Sequence, residues 1–118
     1  MTSARKTWLV GFGVGALAGA LDVGLILAAD PTATHWVMLE SFLFWTVAGW
    51  VVVATHSGLG RYAHGIAATV LLNLPWYVLL GPAAGTPEHL PPLLVMSAVF
   101  GALFGWARGR VRPRAETA

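Results

Sequence analysis

Four runs of apolar residues, each near the length that crosses a bilayer, make up most of this chain and leave little else to fold. A membrane-crossing helix needs about 20 mainly apolar residues, and the runs fall at 7–29, 32–55, 61–80 and 91–107. The chain is 57% hydrophobic and 10% charged, where an average soluble domain is about a quarter charged. A soluble fold of 118 residues has no interior large enough to hide that surface, whereas a bilayer acts as solvent for it. The expected fold is an all-α integral membrane protein with four transmembrane helices in an up-down antiparallel bundle. It forms a single domain over 1–118 with a short basic tail at 108–118.

The breaks between runs have local causes. Asp30 before Pro31 reads as an N-cap with proline at the first helical position. His56-Ser57-Gly58-Leu59-Gly60 reads as a short turn. GPAAGTPEHLPP reads as a loop, with Pro91 or Pro92 opening the last helix. The start resembles a signal peptide cut after Ala29, but its apolar run is about twice the usual length and carries Asp22, so a retained span is expected.

Charge orients the spans. Arg5 and Lys6 precede the first, Arg61 separates the second from the third, and Arg108, Arg110, Arg112 and Arg114 follow the fourth. The other two connections hold Asp30, His35, Glu88 and His89 and no Lys or Arg. The positive-inside rule then places both termini in the cytoplasm. Trp8, Trp50, Tyr62 and Trp106 are expected at the inner interface, and Trp36, Trp76 and Tyr77 at the outer one. The basic residues are too confined to the ends and one connection to suggest nucleic acid, and the four-arginine tail reads as an anchor on anionic lipid. With no cysteine, disulfides, thiolate metal sites and cysteine nucleophiles are excluded.

Gly11, Gly15 and Gly19 share one face of the first span, and Gly101, Gly105 and Gly109 one face of the last. Small residues at this spacing let helix backbones approach closely in lipid. Both triplets fall in the cytoplasmic half, so these helices are expected to pack on each other or one of them on a second subunit.

Asp22 lies inside the first run, three residues after Gly19, and Ser97 extends the other glycine face. At 1.5 Å per residue the two reach similar depth. Glu40 falls near the same layer and Asn73 slightly deeper, beside a kink expected at Pro75. No basic residue neutralises this outer-half layer. An ionised carboxylate there costs about 2.5 to 3.5 kcal/mol or more, so at least one of Asp22 and Glu40 is expected to hold a proton, or the two to share one. The leading reading is structural, with Asp22 bonding Ser97 or a backbone carbonyl; the alternative is a proton or cation site of Asp22 and Glu40.

His35, His56, His64 and His89 raise a haem or metal reading, with His56 and His64 able to approach at the inner surface. No HxxxH, HExxH or CxxCH pattern accompanies them, so they read as interfacial anchors and no cofactor is expected. GVGALAG lacks a preceding strand and the P-loop lysine, and no nucleophile–base pair is present, so an enzyme is not expected.

The length and four-span layout are similar to the small multidrug resistance transporters, which work as dimers around a glutamate in the first helix. Here the first-span acid is Asp22 and that span has no glutamate. Fluoride channels share the length, but the third span lacks their phenylalanine–threonine–serine break. Both similarities stop at architecture. The expected function is a structural or accessory role in the cytoplasmic membrane, as a homo-oligomer or a subunit of a membrane complex. The alternative is a proton- or cation-coupled transporter.

Overall fold

The computed structural model describes residues 3–111, and these are helical with no strand among them. Helix α1 is Ser3–Ala29, α2 is His35–Ala54, α3 is Arg61–Leu72, α4 is Leu74–Leu80 and α5 is Leu90–Val111. Two 3-10 turns, Pro82–Ala84 and Pro87–His89, join α4 to α5. Three helical segments are long and apolar enough to cross a membrane, or four if the bent pair α3–α4 counts as one span. The longest dimension is 44 Å, enough for a hydrocarbon core of about 30 Å and part of its interfaces.

The third expected span is broken at Asn73, with a bend of 47°. Pro75 has no N–H for the carbonyl of Leu71, which interrupts the helical ladder. Asn73 repairs part of it: its backbone N–H reaches the carbonyls of Thr69 and Val70, and its side-chain amide donates to Thr69 O at 2.8 Å. The bent pair remains long enough to cross. With α3 along the membrane normal, α3 and the foreshortened segment after it rise about 29 Å together.

Two boundaries differ from expectation. Asp30 does not cap α2: its Oδ1 accepts from the amide and hydroxyl of Thr32 at 3.0 and 2.6 Å, closing a small turn just after α1. The N-cap is Thr34, whose hydroxyl accepts from the amide of Val37 at 3.3 Å. A β-hydroxyl two residues beyond Asp30 competes for its carboxylate, so the chain turns before it coils. The last helix runs through Arg108 and Arg110 to Val111, so the expected tail boundary at 108 falls inside it. Arg112 and Arg114 lie outside the described residues.

The helices form two antiparallel pairs, α1 with α2 and α3 with α5, and α5 also contacts α1 and α2. Between them lies a core of Val14, Ala18, Trp45, Ala48, Val52, Val53, Phe100, Phe104 and Ala107. The outer surface is also apolar, lined by Leu9, Leu17, Leu21, Leu25, Leu43, Val47, Leu71, Val78, Val95 and Val99. Asp22, His64, Thr69, Asn73, Ser97 and Arg108 are buried instead. An exterior this apolar over a partly polar interior suits lipid rather than water.

Both glycine faces are used, but not on each other. A Cβ at Gly15 would sit 2.5 Å from the Thr46 carbonyl oxygen, and one at Gly19 2.9 Å from that of Phe42. Gly11 meets the Trp50 backbone, and Gly49 of α2 returns the approach against Gly15. Gly101 and Gly105 lie against Gly65, Ile66, Arg61 and Tyr62 of α3, and Gly109 against the Arg61 side chain. The glycine opposite each triplet is the only one in its partner helix, Gly49 of α2 or Gly65 of α3.

Candidate functional site

Because α2 covers the glycine face of α1, Asp22, one turn beyond Gly19, is carried onto α2 as well. Its Oδ2 accepts from Ser41 Oγ at 2.5 Å and from Trp45 Nε1 at 3.0 Å. All three side chains are buried, with Asp22 8% exposed. The hydroxyl distance falls where an O–H meets a carboxylate. Both donors converge on one oxygen, and Oδ1 takes no hydrogen bond from a described residue.

Trp45 carries the link further. Its indole packs edge-on against Phe100 of α5 with centroids 4.8 Å apart, and tilts over Phe104 at 6.1 Å. A tryptophan inside a bundle keeps an apolar body and one N–H that must find an acceptor. Here the body meets α5 and the N–H meets α1, so one side chain ties three helices together.

The expected polar layer therefore separates. Ser97 is buried but donates to the Leu93 carbonyl at 2.9 Å, with no bond to Asp22. Asn73 is engaged by the α3–α4 break. Glu40 is exposed on α2, makes no hydrogen bond or ion pair with a described residue, and lines a lateral groove instead of sharing a proton with Asp22. The reason is helical phase. Ser41 and Trp45 lie on the face turned to α1, and Glu40, one residue before Ser41, falls about 100° away.

A second polar cluster sits at the opposite end of the bundle, where α2 stops. The last carbonyls of a helix lack intrahelical donors. His64 of α3 supplies one, with Nε2 2.9 Å from Val52 O, while its Nδ1 lies 2.7 Å from Ser57 Oγ. As Val52 O can only accept, Nε2 carries hydrogen. Arg108 of α5 supplies another, donating from Nε to Thr55 O at 2.9 Å and from Nη2 to His56 Nδ1 at 3.0 Å. A cation is also favoured at the negative end of the α2 dipole. His64 is 3% and Arg108 1% exposed, so neither acts as a surface anchor.

His56 and His64 both lie at this end, each on its own partners, and His35 and His89 are exposed. No group of three or more His, Asp or Glu suited to a metal occurs among the described residues. Of the aromatics, Trp8 packs against Phe12 and Trp50, with ring centroids 5.4 and 5.0 Å away. Tyr77, expected at the outer interface, is buried on α4, just past the bend.

Sequence reasoning passed over Ser41, Trp45 and the buried role of Arg108. Each had a signal. Ser41, Trp45, Ala48 and Val52 recur at helical spacing, as do Ser97, Gly101, Phe104 and Arg108. Trp45 also stands too far from either end of its span for an interfacial belt. Comparison with protein-family models, with curated proteins and with solved structures gave no match.

Proposed function

We propose that this chain is a four-span protein of the cytoplasmic membrane, both termini inside, acting as a structural or accessory subunit rather than as an enzyme or carrier. The observation that carries this reading is the engagement of Asp22. The carboxylate deepest in the apolar region is held by Ser41 and Trp45 within the chain. The contacts of Gly11 with Trp50 and of Arg108 with Thr55 and His56 gather Arg5, Lys6, Arg61, Arg108 and Arg110 at one end. The positive-inside rule makes that end cytoplasmic. Assembly with a second copy or another membrane subunit belongs to the proposal. With both glycine faces engaged internally, assembly would use the outward leucine and valine faces.

Reconstitution into liposomes tests the reading. The expected result is no pH-driven proton or cation flux above that of empty liposomes, and a less stable protein when Asp22 becomes Asn. Flux through the wild-type protein, abolished in a folded Asp22→Asn variant, would replace this reading with transport.

A further inference from the structure

A groove of about 400 Å³ runs along the outward seam between α1 and α5. Leu9, Gly13 and Leu17 line it from α1, and Leu103, Trp106 and Arg110 from α5. Gly13 leaves the hollow: a Cβ there would meet nothing within 4 Å, whereas those of Gly11, Gly15 and Gly19 would meet α2. Arg110 is the one charged residue on the wall. Lys6, three residues before Leu9 and seven before Gly13, falls on the same face of α1 and at the same end as Arg110. We propose that this groove holds one anionic phospholipid, with its phosphate between Lys6 and Arg110 and an acyl chain laid along Gly13.

Length, charge and lining select that occupant. From Lys6 to Leu17 the helix rises about 16 Å, close to half of a hydrocarbon core of about 30 Å, which is the depth of one leaflet. Lys6 and Arg110 are exposed and pair with no carboxylate among the described residues. Helix α5 has no acid, and Asp22, the only acid of α1, is turned to α2. The Arg110 guanidinium, which stays charged, lies over the Trp106 ring at 5.8 Å from its centroid. Tryptophan favours the level of lipid headgroups. A free phosphate would leave the apolar length of the groove unfilled. A second copy in the same orientation would bring its own Lys6 and Arg110 to the same height, like charge against like.

The inference rests on the membrane placement proposed above, but it is read in detergent, apart from topology and flux. Native mass spectrometry of the purified protein, titrated with phosphatidylglycerol or with phosphatidylcholine of the same chains, counts bound lipids and protein copies together. The expected result is saturation at one phosphatidylglycerol per chain and weaker, unsaturated binding of phosphatidylcholine. Lys6→Gln and Arg110→Gln are each expected to weaken phosphatidylglycerol binding about fivefold. Arg5→Gln, which removes the same charge about 100° round α1, leaves it unchanged. Gly13→Leu fills the hollow with both cations in place and is expected to weaken binding about tenfold, with thermal stability retained because the site is open. Equal binding of the two lipids, an equal loss in Arg5→Gln and Lys6→Gln, or undiminished binding by Gly13→Leu would overturn the proposal. So would displacement of the lipid by inorganic phosphate, or a dimer that Gly13→Leu dissociates, which would give the groove to a second copy.

Discussion

Asp22 on α1 accepts the indole hydrogen of Trp45 on α2 at 3.0 Å, and the same indole lies 4.8 Å from the Phe100 ring of α5. Inter-helix cohesion in lipid cannot come from hydrophobicity alone. It comes from close packing and hydrogen bonds that have no water to compete with them. In this chain the two are consecutive on one face, with glycines at 11, 15 and 19 followed by the carboxylate at 22.

A double-mutant cycle between Asp22→Asn and Trp45→Phe, read by unfolding in detergent, is expected to give a coupling energy of about 0.5 to 1.7 kcal/mol. Additive effects would mean that the indole and the carboxylate do not act together.

The glycines divide into two sets. Gly15→Ala and Gly49→Ala drive a methyl group into the opposing backbone and are expected to destabilise by about 1 to 3 kcal/mol. Gly13 and Gly24 have nothing within 4 Å of a Cβ, so alanine there is expected to be neutral or stabilising by up to about 1 kcal/mol. Unfolding midpoints of the four variants check the contrast.

Arg108 donates to the Thr55 carbonyl and to His56, so Arg108→Gln is expected to cost about 1.5 to 3 kcal/mol, the range for hydrogen bonds to charged groups. Arg108→Lys keeps the charge without the fork and is expected to recover only part of that. Hydrogen exchange at the end of α2 should quicken in both. Unchanged protection there would mean that α2 holds its end without α5.

Much of the architecture was legible because it rests on length. The apolar runs mark the long helices, and Arg5, Lys6, Arg61, Arg108 and Arg110 lie toward one end of the described residues. The polar contacts were harder to read, because one carboxylate on a glycine face has two candidate partners and sequence depth alone cannot choose between them. Asp22 fits Ser97 by depth, yet the short α1–α2 connection gives its face to Ser41 and Trp45. Asp30 before Pro31 has a cap signature, but Thr32 takes its carboxylate first. Arg108 looked like a topology charge because it begins a run of four arginines, while its phase with Gly101 and Phe104 marks it as interior.

The turn at Asp30 carries a pH signature. The hydrogen bond from the Thr32 hydroxyl, followed by that from the Thr32 amide, holds the Asp30 carboxyl below the usual value of 3.8. A depressed folded value means the turn is favoured above the ordinary aspartate range and loses that support as pH falls through the lowered value. The Thr32 amide resonance in micelles is expected to shift with a midpoint below the ordinary aspartate value. Movement centred at or above the ordinary value would show that Thr32 does not hold the carboxylate.

The bent pair α3–α4 decides whether the chain crosses the membrane four times, and the absence of native cysteine makes the test direct. Single cysteines at Leu59 and Ala84, both exposed and on either side of the bend, are labelled with a membrane-impermeant maleimide in intact cells and in inverted vesicles. Four crossings predict that Leu59→Cys reacts only in inverted vesicles and Ala84→Cys only in intact cells. Reaction of both from the same side would make the pair a re-entrant hairpin and contradict the four-span account.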